Sequence, residues 1–113
     1  MKVLPIMLSL SFTVISCRSP QWKTETYTYD NVVREPLSIE TPVPIFYQKY
    51  DVKFRYKIIG RAHAISSKKQ NYQDPMPLIL LQNQARNIGG DALLAPELND
   101  SFTWTAPIIK RIN

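Results

Sequence analysis

Residues 51–65 read DVKFRYKIIGRAHAI, and the period of this stretch decides the fold. Val52, Phe54 and Tyr56 alternate with Lys53, Arg55 and Lys57, the two-residue repeat of a strand that buries one face and wets the other. Ile58-Ile59 interrupts the alternation and Gly60 follows. This predicts a β-bulge that resets the inward face before the strand runs on through Arg61, Ala62, His63, Ala64 and Ile65.

Downstream, Ser66 to Tyr72 is polar and carries Lys68-Lys69, the composition of an exposed loop. Asp74-Pro75 then starts a helix, with Asp74 as the cap and Pro75 at a position whose missing N–H costs nothing. Leu78, Leu81, Ala85 and Ile88 recur at helical spacing, with Gln82, Asn83 and Arg86 off that stripe. Gly89-Gly90 supplies the left-handed residue that ends it. Ala92 to Ala95 reads as a short buried strand stopped by Pro96, and Asn99-Asp100 turns the chain. Phe102 to Ala106 alternates again and Ile108-Ile109 extends it. Pro107 cannot donate to a ladder, so this last strand is expected at an edge or beside a bulge. The whole predicts an α+β two-layer domain over residues 51–113, a three- or four-stranded sheet with one helix packed on it.

Upstream, residues 18–50 hold Pro20, Pro36, Pro42 and Pro44 and no glycine. Prolines fix φ and push their predecessors toward extended geometry, so residues 17–50 read as an extended, Pro-rich tether. Within it, Thr24 to Tyr29 has the composition of a short edge strand, and Pro42 to Tyr47 is apolar enough to lie against the domain.

The chain opens MKVLPIMLSLSFTVISC, a lysine followed by an apolar run too short to span a bilayer, which takes about 20 residues. This is the anatomy of a signal peptide over residues 1–16. Val14-Ile15-Ser16-Cys17 resembles the lipobox of bacterial lipoproteins. The resemblance implies cleavage between Ser16 and Cys17, lipidation of Cys17 by diacylglyceryl transfer and then acylation (palmitate or a similar chain), and residence in the cell envelope. Arg18 follows the cysteine in place of an aspartate retention signal, which implies the outer membrane, facing the periplasm, in a Gram-negative cell.

A length of 113 residues supports one small domain, and a net charge of +5 favours anionic surfaces without specifying one. One cysteine allows no internal disulfide. His63 is the only histidine and falls in a strand pattern with no nucleophile nearby in sequence; catalysis is not expected. Asp91, Glu97 and Asp100 lack calcium-loop spacing, so no metal or cofactor is expected, nor a small-molecule substrate. Phe54 and Tyr56 fall on the opposite face from the bases Lys53, Arg55 and Lys57, which argues against nucleic acid. The expectation is a non-enzymatic envelope lipoprotein, an accessory, assembly or sensing module that binds another envelope protein. Its contact would be the Lys53/Arg55/Lys57 face or an edge strand at Trp104. The alternative is an anionic envelope ligand, lipopolysaccharide or peptidoglycan, held by the basic face.

Tyr56-Lys-Ile-Ile-Gly-Arg-Ala-His-Ala, followed after the helix by Gly89-Gly90-Asp91-Ala92-Leu93-Leu94, resembles a family of small bacterial envelope domains that includes the stress-sensor lipoprotein of the Rcs phosphorelay. Gly60 matches its strand motif and Ala85, Gly89, Gly90, Asp91 and Ala92 its helix-end motif. The resemblance implies a fold more than an activity, and the paired cysteines of the Rcs sensor have no counterpart here.

Overall fold

A computed structural model describes residues 21–112. The signal peptide, the Ser16–Cys17 cleavage site and the lipidation of Cys17 lie outside the described residues. In chain order the elements are β1 (Trp22–Thr28), β2 (Ile45–Phe46), a 3-10 turn (Lys49–Asp51), β3 (Tyr56–Ser66), α1 (Met76–Asn87), β4 (Ala92–Leu94), β5 (Glu97–Asn99) and β6 (Thr103–Arg111). The described strands form one mixed sheet in the order β1-β3-β6-β4-β2, with β5 also pairing to β6. Its pairs are antiparallel except β2–β4, which is parallel.

The α+β layering with one packed helix is as expected, but the sheet has six strands where three or four were expected. The extra strands come from the proline-rich stretch assigned to the tether, and from a last-strand partner split in two. β1 pairs along its whole length with β3, from Trp22 opposite Ser66 to Thr28 opposite Gly60. Partners so far apart in the chain leave no local periodic signal.

β3 carries the expected bulge, its register to β6 slipping between Ile58 and Gly60. The ladder begins only at Tyr56, because Lys49–Asp51 coils into the 3-10 turn and residues 52–55 approach without ladder pairing, bending at Phe54. The alternation is nevertheless real: Val52, Phe54 and Tyr56 pack inward on Ala92, Leu94 and Ile109, while Lys53, Arg55 and Lys57 are exposed.

Helix α1 covers the other face. Leu81 and Ala85 are fully buried against Ile59, Ala62, Ala64, Leu93, Trp104, Ala106 and Ile108, with Leu78 and Ile88 packed at the rim. Cutting a fully buried Leu or Ile such as Leu81 or Ile108 back to alanine costs about 2–5 kcal/mol. The alanines Ala62, Ala64 and Ala106 let the helix lie close to the sheet. The helix begins one residue later than expected, with Pro75 at the cap position and Met76 first in the helix; Asp74 Oδ1, one residue further out, still accepts from the Met76 amide at 2.9 Å. At the other end Gly89 takes φ 75°, its amide donates to the Arg86 carbonyl and that of Gly90 to Ala85. This is the Schellman closure.

Candidate functional site

The expected contact residues do not converge. Trp104 was assigned to an edge strand, but β6 is the centre of the sheet, with β3 on one side and β4 and β5 on the other. Trp104 is only 4% exposed, buried under the helix with Tyr72 stacked edge-on at 5.4 Å, and it offers nothing to a partner. Pro107 invited the edge assignment; its alternative, a bulge, is what occurs. β4 and β5 meet β6 one residue out of step, and Ala95, at φ 45°, is the extra residue opposite the proline.

Lys53, Arg55 and Lys57 are exposed but dispersed in what they do. Lys53 Nζ donates to the Tyr50 carbonyl at 3.0 Å, and Lys57 lies 4.0 Å from Asp30. Nearby, Lys110 pairs with Asp91 at 3.3 Å, and Arg111 stacks over Phe54. Of the three bases, then, only Lys57 lies near a carboxylate.

The part of the sheet not covered by α1 or by the 52–56 segment carries a polar row. Glu25, His63, Thr105 and Glu97 stand side by side across β1, β3, β6 and β5, with Tyr27 and Arg61 in the next row. Tyr27 meets His63 edge-on at 5.3 Å and donates its hydroxyl to Glu25, whose carboxylate raises the phenol pKa. Arg61 donates from Nη1 to Thr105 Oγ1 at 3.1 Å. Among the described residues no side chain hydrogen-bonds to the His63 ring. No group of three or more His, Cys, Asp or Glu there could hold a metal ion.

What distinguishes the molecule is the outer edge of β1. The Tyr29 amide donates inward to Ile59, and the Gln21 carbonyl accepts inward from Ser67. By the alternation of a strand, Trp22, Thr24, Thr26 and Thr28 turn their N–H and C=O groups outward. No other described segment bonds to them. One buried residue braces this strand: Gln84 accepts from Thr26 Oγ1 at 2.7 Å and donates to the His63 carbonyl at 2.9 Å, tying α1 to both β1 and β3. Gln84 is a lone polar residue on a buried helix face, and periodicity could only have placed it there, not named its partners.

At the far end of β1 the chain turns through residues 29–34. Arg34 grips Asp30 with both guanidinium nitrogens, at 3.2 and 2.9 Å. That hydrogen-bonded fork holds the Asp30 carboxyl below the usual carboxylate range and raises the Arg34 pKa. An open cavity of about 360 Å³ lies here between residues 28–34 and Asn87-Ile88, and Val33 beside it is 97% exposed.

No protein-family model matches the chain, and no curated protein matches it. Among solved structures it is similar to the crystal structure of a Francisella virulence factor, FvfA, in its orthorhombic form. The TM-score is 0.56 at 12% identity, covering 80% of this chain and 99% of that one. At such identity the likeness is one of fold.

Proposed function

We propose that the chain is a non-enzymatic envelope lipoprotein whose domain holds another envelope protein by strand addition along β1. The observation that carries this is the unpaired outer edge of β1: seven residues of regular strand with outward N–H and C=O groups at alternate positions. Backbone pairing supplies the affinity in this mode, and the exposed side chains of Lys23, Thr24 and Tyr27 select the partner. The lipid comes from the lipobox-like Val14-Ile15-Ser16-Cys17.

The test places a photo-crosslinking benzoylphenylalanine at Tyr27 of the full chain in producing cells. One envelope protein should be captured at Tyr27 and not from the same probe at Tyr47. Thr24→Pro, which deletes one outward N–H, should abolish that capture. No adduct at Tyr27, or one indifferent to the proline, rejects strand addition. The anchor is tested apart: wild-type protein should carry acyl mass and sediment with membranes, and Cys17→Ser should be soluble.

A further inference from the structure

The domain begins almost at the lipid. Trp22 opens β1 only five residues after Cys17, a span of at most about 17 Å fully extended. β1 itself, at seven residues, is about 20 Å long. If Cys17 carries the anchor, as proposed above, one end of the domain is held near the head groups whatever its tilt.

That end is assembled from three separate pieces of chain. Ser67 donates its amide to Gln21, Ser66 to Phe102 and Gln70 to Ser101, which joins the start of β1, the β3–α1 loop and the β5–β6 turn. The surface they present is amphipathic. Tyr72 is 76% exposed and Phe102 42%, Met76 is exposed at the start of α1, and Trp22 is half-buried at the rim. Lys68 and Lys69 are exposed between them, and among the described residues neither has an ionic partner. Of the carboxylates at this end, Asp74 and Asp100 turn onto the amides of Met76 and Phe102; further up the sheet Glu25 pairs with Lys23, and Glu97, level with it, is exposed. Aromatic side chains flanked by lysines are the composition that settles at a bilayer surface, the rings at head-group depth and the ammonium groups on lipid phosphates.

We propose that this end, carrying Trp22, Lys68, Lys69, Tyr72, Met76 and Phe102, rests on the head-group layer of the membrane that holds the lipid of Cys17. The domain then stands upright, β1 rises from the surface with its edge open along its length, and Val33 and the cavity beside it face away. Val33 reaches the membrane only if the domain lies down on β1.

Three variants of the full-length acylated chain test this: Lys69→Cys, Phe102→Cys and Val33→Cys. Each is labelled with bimane and reconstituted in phosphatidylethanolamine–phosphatidylglycerol vesicles containing a lipid with a spin-labelled head group. Quenching should occur at 69 and 102 and be lost at 33. Equal quenching at all three positions means a domain lying on its side and overturns the proposal. Acylated protein unquenched at 69 and 102 overturns it while leaving the anchored lipoprotein intact; this includes labels shielded from a soluble quencher by a second copy. An intact mass without acyl chains overturns the anchored reading and this inference with it. Lys69 is exposed, so its variant reports even if Phe102→Cys disturbs the turn.

Discussion

Along β1 the sheet ends in seven residues without a proline or a bulge, whereas along its other side it ends in β2 and β5, two and three residues long. Pro42 and Pro44 precede β2, and Pro96 with the left-handed Ala95 precedes β5. Short, proline-bounded and kinked strands are the ordinary protection of a sheet edge against unwanted pairing. The chain applies that protection on one side and withholds it on the other. The open edge is the one on which the proposed strand addition rests.

The contrast is broken most severely at Gly60, where a side chain would run into the Tyr27 carbonyl oxygen and crowd Ile88. Gly60→Val should cost about 2–3 kcal/mol and free β1 from the sheet, seen as a lower urea midpoint with loss of amide-exchange protection over residues 22–28. Gln84→Ala comes next. It removes the bonds that tie α1 to the Thr26 hydroxyl and the His63 carbonyl and should cost about 1 kcal/mol, with exchange rising in β1 and β3 before β6. Thr24→Pro should cost less than about 1 kcal/mol, because its N–H faces solvent and no ladder bond is lost; β1 stays in the sheet while partner capture disappears. The same proline in β5, Leu98→Pro, should leave capture untouched, which sharpens the difference between the edges.

The smallest effect is electrostatic. The Arg34 fork lowers the Asp30 pKa in the folded chain below its unfolded value. The stability it lends is therefore present above about pH 4 and lost as pH falls through the folded value. Melting curves should show a modest acid destabilisation that Asp30→Asn removes. A variant with the wild-type acid response would place the titration elsewhere.

The sequence made local features legible and distant pairings illegible. The alternation leading into β3, the bulge at Ile58–Gly60, the Asp74 bond at the helix start and the Gly89 closure each depend on neighbours a few residues away, and each is present, the helix starting one residue late. Thr24 to Tyr29 has the composition of an edge strand, but nothing nearby shows that its partner is residues 60–66. Pro107 misleads for a related reason. A proline usually marks an edge, yet here the neighbouring strand breaks at the same level and asks nothing of the missing N–H. The open edge was hidden for the same reason: the basic residues are visible in the sequence, whereas the outward edge of β1 is backbone, which has no residue signature.

The position of β6 has a consequence in time. The strand at the centre of the sheet is the last one made, and β3, β4 and β5 pair with it, while β1 is held by β3 and β2 by β4. Pairing that spans most of the chain is slow, since long loops must close before any contact rewards them. A chain emerging from its N-terminus holds β1 without a partner until β3 follows, and leaves the other edge of β3 open until β6 is complete. Until then the β1–β3 pair is open on both of its edges, so the chain is most prone to wrong strand pairing before its last strand is made.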